Sequence, residues 1–307
     1  MEEHKKELIV LIVLTYCRPE MLRSCLSRVF MMDLPSSVGF RVFVVDNDPG
    51  RTAFRVADSF PVLYVSESRL GVVHARNRGL EEALRCGATH IAFLDDDSMA
   101  SPEWLRTLYQ RLTSFQADVV SSPSDYRFVS ENGFISRHFA DFMYLGRSRP
   151  LTPFWGSYAH TGSVLFRSSC LVKGFRFEQI EDMDLGEDTF FFRRIHAMGG
   201  RILWIPERMI HELYPAARAR LIWLFQRNFW VGYTDSLIWQ KIKGLGLGSV
   251  HAGGRGFMKW VQIWMFFFYD LWRGKSLAWI GIRGFCLFFR GCGHLIGILA
   301  GLLGFGK

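Results

Sequence analysis

Residues 90–98 read HIAFLDDDS, an apolar run of strand length that stops on three consecutive carboxylates and a serine. A short run without charge fits a strand covered on both faces, and the aspartates fall where that strand leaves its sheet. Carboxylates side by side at a buried strand exit repel one another unless a cation or a positive ligand offsets them. Oxygen-only donors favour Mg²⁺ or Mn²⁺, ions commonly held by one or two carboxylates with substrate phosphates completing the shell. The run therefore points to a nucleotide diphosphate. The competing reading, capping of a helix by Asp97 or Ser98 ahead of Ser101-Pro102-Glu103, needs only a local turn.

Upstream, LIVLIVL at 8–14 is a second doubly covered strand, broken by Thr15-Tyr16-Cys17-Arg18-Pro19, and Pro19 opens a helical pattern through Met21, Leu22, Cys25, Leu26 and Val29. RVFVV at 41–45 ends in Asp46; a helix near 51–58, a strand at 62–65 and a helix over 72–86 follow. Strand alternating with helix predicts a parallel sheet with right-handed crossovers, whose ligand site lies beyond the carboxyl ends of the strands. Thr15, Asp46 and Asp95-Asp96-Asp97 are delivered to that edge. Arg76 and Asn77, in GVVHARNRGLEEAL, sit early in the helix between the Asp46 and Asp95 strand ends, where an arginine suits a base or phosphate contact.

Downstream come a helix at 102–114, a strand at 117–122, an irregular stretch from Pro123 to Trp155, and a strand at 163–167. The acidic loop EQIEDMDLGED at 178–188 then leads into the helical TFFFRRIHAM and the last clear strand, RILWIP at 201–206. Glu181, Asp182, Asp184, Glu187 and Asp188 concentrate negative charge downstream of the metal candidate, and an inverting displacement needs one carboxylate to take the proton of an acceptor hydroxyl. A helix-capping role for Asp188 is the alternative. His211 is a candidate to complete a metal shell through its imidazole, or a structural histidine.

The chain of 307 residues is 49% hydrophobic and 21% charged, which excludes disorder, and its net charge of +8 resides in residues 241–307, where nine basic residues face the single acid Asp270. The first 240 residues are balanced, so no nucleic-acid partner is expected. Six cysteines without a C-x-x-C pair, and an N-terminus without the order of a signal peptide, predict a reduced intracellular protein. The tail interleaves Phe, Trp, Leu and Ile with basic residues, as suits segments lying in the interface of an anionic membrane surface; a buried helical subdomain or a dimer interface is the alternative. Its last uncharged run, Gly291–Gly306, falls short of the 18 or more residues of a spanning helix and is weakened by glycine.

Six segments, LTYCRPEMLRSCL, VVDNDPG, ESRLGVVHARNRGLEEA, AFLDDDSMASPEWL, HTGSVLFR and GEDTFFFRRIHAMGGRILWIPERMIHE, resemble in order those of inverting glycosyltransferases of family 2 with the GT-A fold, across residues 8–215. In texture they are similar to bacterial enzymes of succinoglycan-type exopolysaccharide synthesis, which extend a polyprenyl-diphosphate-linked oligosaccharide at the cytoplasmic membrane. The resemblance implies an α/β fold with a Rossmann-like, mostly parallel sheet flanked by helices. It divides the chain into a transferase domain at 1–215, with a nucleotide half at 1–122 and an acceptor half at 123–215, and a helical membrane-associating region at 216–307. It implies that Thr15 and Asp46 contact base and ribose, that Arg76 is a further contact on the nucleotide side, and that Asp95 and Asp96 hold ribose or metal-bound water. Asp97, with His211, would ligate Mg²⁺ or Mn²⁺; Asp188 would be the base and Glu187 would orient the acceptor.

The implied reaction is transfer from a nucleotide-diphosphate sugar, of the UDP type, to a hydroxyl of a lipid-linked saccharide at the cytoplasmic face of the inner membrane. QRNFW at 226–230 resembles the Q-x-x-R-W signature of processive synthases only faintly, since Arg227 follows Gln226 at once, and this argues for single-sugar transfer. Two other functions fit the same motifs: a polyprenyl-phosphate monosaccharide synthase, whose acceptor needs no general base, and a membrane-bound scaffold that keeps the fold without turnover.

Overall fold

The two apolar runs read first from the sequence become neighbouring central strands. In the computed structural model, which describes residues 7–34, 38–128, 133–144, 152–171, 174–180 and 185–303, the chain runs β1 (Leu8–Thr15), α1 (Pro19–Val29), β2 (Gly39–Asp46), α2 (Phe54–Ala57), β3 (Leu63–Ser66), α3 (Val72–Arg85) and β4 (His90–Asp95). It continues through β5 (Ser98–Ala100), α4 (Trp104–Ser114), β6 (Val119–Ser121), β7 (Ser124–Phe128), α5 (Phe134–Tyr144), β8 (Phe154–Gly156), β9 (Val164–Arg167), α6 (Glu187–Ala197), β10 (Ile202–Trp204) and β11 (Ile210–Tyr214). Three long helices end it: α7 (Leu221–Lys243), α8 (Leu245–Trp272) and α9 (Leu277–Leu303).

An eight-stranded sheet has the order β3-β2-β1-β4-β9-β6-β10-β8. Its first half is parallel, as the alternation of strand and helix predicts, but β9 runs antiparallel to both β4 and β6, and β8 antiparallel to β10. β1 is apolar from Leu8 to Leu14 because both faces are covered. Ile9, Leu11 and Val13 meet Leu22 and Leu26 of α1 and Trp104, Leu105 and Leu108 of α4; Val10 and Ile12 lie in a second core with Leu80 of α3 and Phe191 and Phe192 of α6. Gly79 of α3 is required by contact, since a Cβ there would stand 2.6 Å from Ile12.

The stretch from Pro123 to Trp155, read from the sequence as irregular, holds β7, α5 and β8, and β11 lies beyond the strand expected to be last. These strands have three to five residues and no clean alternation of apolar and polar groups, so their pairing, not their pattern, defines them. β11 runs antiparallel to β5, with His211 opposite Met99, in a second sheet of order β5-β11-β7.

The chain forms two compact units. One comprises Met1–Asp125, Arg149–Glu178 and Glu187–Leu213; the other comprises Tyr126–Ser148, Gln179–Gly186 and Tyr214–Lys307. The sequence reading drew one boundary after 215, whereas residues of the 126–148 stretch join the C-terminal helices. The physical reason is a shared core: Phe128, Phe139 and Phe142 are buried with Tyr214, Leu224, Trp279, Ile280 and Leu287.

In that second unit, glycine marks close helix packing, not a weak helix. A Cβ on Gly297 of α9 would lie 2.5 Å from the Tyr233 carbonyl oxygen of α7, and Cβ atoms on Gly232 and Gly293 would strike the carbonyls of Arg290 and Phe229 more closely still. Two ion pairs face inward. The Arg283 guanidinium meets both oxygens of Asp270 at 2.7 and 2.8 Å, and Arg255 Nε meets Asp235 at 2.8 Å. Large apolar side chains face outward: Trp264 is 67% exposed, Phe268 64%, Trp272 83%, Leu277 75% and Leu303 69%, while Lys241, Lys243, Arg273 and Lys275 are exposed at the helix ends. Among the described residues α9 is the one helix long and apolar enough to cross a membrane by length and composition, with 27 residues and a mean hydropathy of 1.7. Gly293→Val is expected to destabilise this unit by about 1–3 kcal/mol, the usual result of overpacking, and to lower the thermal midpoint of the purified full chain. Gly281→Ala, with nothing within 4 Å of the added carbon, should leave the midpoint unchanged or raised; equal midpoints for the two variants would refute the packing role.

Candidate active site

Strand register assembles the site. Thr15 stands opposite Asp46 across β1 and β2, and Leu14 opposite Asp95 across β1 and β4, so the three strands finish level at one edge. Thr15 Oγ1 donates to Asp96 Oδ2 at 2.8 Å, and Arg18 places Nη1 3.3 Å from Asp96 and 3.4 Å from Asp97. Burial pushes the Asp95 carboxyl up to about 6, with the charges of Asp97, Asp188 and Glu187 adding to the effect and Arg76 opposing it. Burial also raises Asp96, against the hydrogen bond from Thr15 and the charge of Arg18.

Asp46 is buried and its carboxylate accepts the N–H of Asp48 at 3.0 Å, the N–H of Ala53 at 3.2 Å and the Tyr64 hydroxyl at 2.9 Å. It therefore organises the turn after β2. Asn47, next to it, donates to the carbonyls of Glu67 and Arg69 and accepts from Gly71 N–H, fixing the loop ahead of α3.

β11, absent from the sequence reading, carries His211 to the strand that follows the aspartates. Leu213 N–H donates to the Asp97 carbonyl at 3.0 Å, and His211 Nδ1 lies 3.8 Å from Asp125 Oδ2. Among the described residues no group of three or more His, Cys, Asp or Glu side chains is assembled to hold a metal ion. Asp97 and His211 lie on neighbouring backbone, so the residues that would hold a divalent ion here are one carboxylate and one imidazole.

Glu187 and Asp188, at the end of the acidic loop, act on the same field. Glu181, Asp182 and Asp184 lie outside the described residues, while Gly186, at φ +88°, leads into α6 beginning at Glu187. Asp188 is the second helical residue, one step past Glu187, and its Oδ1 accepts Thr189 N–H at 2.6 Å. Both carboxylates stand in the first turn, where the helix dipole favours negative charge.

Arg76 of α3 is held in a buried ion pair. Its guanidinium, 5% exposed, forms an ion pair with buried Glu187, donates to Thr161 Oγ1 at 2.6 Å and lies 5.5 Å from the centre of the Phe177 ring. Asn77 locks the Phe177 backbone, donating to its carbonyl and accepting from its N–H, both at 2.9 Å. Arg18 and Thr161 escaped the sequence reading although both stand inside quoted motifs, TYCRP and HTGS; nothing in spacing alone pairs them with residues 78 and 85 positions away.

Residues 10–172 match the sequence profile of glycosyl transferase family 2. The chain belongs to that family. It is 31% identical, over 76% of either chain, to succinoglycan biosynthesis protein ExoM of Rhizobium meliloti strain 1021. Glycosyltransferase GlyA of Streptococcus pneumoniae is 21% identical over 64% of this chain and 29% of its own. Among solved structures, the mannosyltransferase PcManGT from Pyrobaculum calidifontis, in complex with GDP-Man and Mn²⁺, aligns with a TM-score of 0.59 over 94% of this chain and 86% of that one, at 16% identity. S. aureus TarS 1–349 aligns at 0.54 over 96% and 91%, at 13% identity. This family 2 chain is thus a glycosyltransferase, with the mixed α/β architecture of GT-A enzymes.

Proposed function

We propose that the enzyme moves one sugar from a nucleotide-diphosphate sugar, of the UDP type, to a hydroxyl of a lipid-linked saccharide in exopolysaccharide or cell-surface glycan synthesis, with inversion at the anomeric carbon. The observation that carries this reading is the convergence on one field of the level strand ends (Thr15, Asp95, Asp96, Asp97) and the Glu187-Asp188 pair, whose charges add to the burial that raises Asp95. Similarity to a succinoglycan biosynthesis protein supports a saccharide acceptor.

Thr15, Asp95 and Asp96 hold the nucleoside end of the donor, and Asp46 supports them through the turn it fixes. Asp97 and His211 would hold the divalent ion, Mg²⁺ or Mn²⁺, which would supply positive charge for the diphosphate; the Mn²⁺ of the mannosyltransferase complex supports this choice. Asp188 takes the proton of the acceptor hydroxyl as its oxygen bonds to the anomeric carbon, from the face opposite the breaking bond to the diphosphate. Glu187 orients the acceptor.

Membrane association completes the reading. α9 is about 40 Å long at 1.5 Å per residue, against a hydrocarbon core of about 30 Å. The α7–α9 bundle turns the Arg283–Asp270 and Arg255–Asp235 pairs inward, leaves Lys241, Lys243, Arg273 and Lys275 exposed at its helix ends, and puts aromatic and aliphatic groups outside, an arrangement that lipid favours. The site of action is the cytoplasmic face of the inner membrane.

A panel of UDP- and GDP-sugars offered with native membranes, read by mass spectrometry of the lipid fraction, tests the activity; no sugar transferred from any donor would sink it. Calorimetry with UDP and Mn²⁺ tests the ion site. Asp97→Asn is expected to abolish the metal-dependent part of UDP binding while the fold persists, and unchanged metal dependence would remove Asp97 from the site.

A further inference from the structure

The geometry points to Arg76 as the positioning residue of the Glu187-Asp188 carboxylate pair and not as a nucleotide ligand. Arg76 is buried, and its Nη1 and Nη2 are committed to Glu187 and Thr161. Nε is buried with no hydrogen-bond partner, so both engaged nitrogens of the guanidinium serve Glu187 and Thr161. Burial alone would favour its neutral form, but the charges of Glu187, Asp95 and Asp188 outweigh that and hold it protonated. It is thus the buried cation that opposes the mutual repulsion of three carboxylates.

The pair also fixes direction. Glu187 is the first residue of α6, so anchoring its side chain to Arg76 of α3, itself held by Thr161, sets where the first turn of the helix begins, and with it the aim of Asp188 one residue on. Asn77, the next residue of α3, clamps the Phe177 backbone, and the Phe177 ring lies beside Arg76. Two adjacent side chains of α3 therefore hold the chain on both sides of the acidic loop. Glu187 Oε2 is buried with no hydrogen-bond partner, whereas Oε1 carries the arginine. Loss of Arg76 would leave that carboxylate buried with no counter-charge, a costly state that the helix start must move to relieve.

This inference rests on Asp188 as the base, and a double-mutant cycle in the full chain separates the two. UDP affinity is read by calorimetry in the presence of Mn²⁺, and turnover with the most active donor of the panel above. Arg76→Met is expected to lower kcat about 10²-fold, the scale of loss when a reacting group is misplaced by about 1 Å, and to leave UDP affinity within about twofold. Arg76→Lys, which keeps the charge with poorer geometry, should recover part of kcat. The double variant Arg76→Met/Glu187→Gln should turn over no more slowly than the slower single variant, because both act through one contact.

A tenfold or greater loss of UDP affinity in Arg76→Met would overturn the inference and restore the nucleotide contact, and so would losses that multiply in the double variant. Should Arg76→Met fail to fold, the double variant, which removes both charges together, is compared with Glu187→Gln alone: equal turnover upholds the inference and a further tenfold loss overturns it. Full activity of Asp188→Asn would instead sink the base assignment, and the Arg76–Glu187 coupling would still be read. If no donor turns over, the functional reading fails and UDP affinity of Arg76→Met alone decides.

Discussion

Asp188→Asn is expected to lower sugar transfer by about 10²–10⁴-fold while nucleotide binding stays near that of the wild type, because a general base contributes on that scale and the amide cannot accept the proton. The substitution is nearly isosteric, and an asparagine in the first helical turn still accepts the Thr189 N–H as Asp188 does at 2.6 Å. Helix geometry is therefore preserved while the chemistry is removed. The measurement pairs kcat with UDP affinity. Transfer at near wild-type rate would leave Asp188 as a helix-end residue and favour a lipid-phosphate acceptor, which is already a nucleophile without a base.

The second large effect concerns the membrane. The aromatic and basic tail, taken as sequence, predicts electrostatic attachment: each basic residue near an anionic leaflet adds about 1 kcal/mol, and salt weakens the sum. The structure changes the expected result. Arg255 and Arg283 are turned inward to Asp235 and Asp270, while Trp264, Phe268, Trp272 and Leu277 are turned out. Burying each such apolar side chain contributes about 1.5–3 kcal/mol, and salt does not weaken that contribution. Full-length protein is thus expected to stay with the membrane through carbonate and high-salt washes and to leave only in detergent. Release by salt alone would restore the electrostatic attachment; a soluble dimer obtained without detergent would assign the apolar face to a second copy. Truncation within α8 is a poor substitute for these washes, because it would strip Trp279, Ile280 and Leu287 from the core they share with α5.

Much of the catalytic unit was legible in the chain. LIVLIVL and HIAFL have only one stable environment, between covering layers, so the parallel centre of the sheet followed from them, and with it the edge where Thr15, Asp46 and Asp95 end. The aspartate triplet announced a charge problem that had to be solved by a ligand or a cation. These are local facts: periodicity and charge density act within a few residues of where they are written.

What the sequence did not determine depends on contacts between distant residues. The antiparallel intrusion of β9 and the pairing of β11 with β5, which brings His211 toward the aspartates, arise because backbone donors and acceptors must be matched, and short strands without alternation carry no mark of their partner. Arg76 reads as a surface or nucleotide arginine until Glu187, 111 positions away, is found beside it. In the tail, composition gave apolar and basic residues but not which of them face outward. Only the packing of α7, α8 and α9 through glycine could turn Arg255 and Arg283 in and the aromatics out, because the direction of a helix face is set by its neighbours and not by its own sequence.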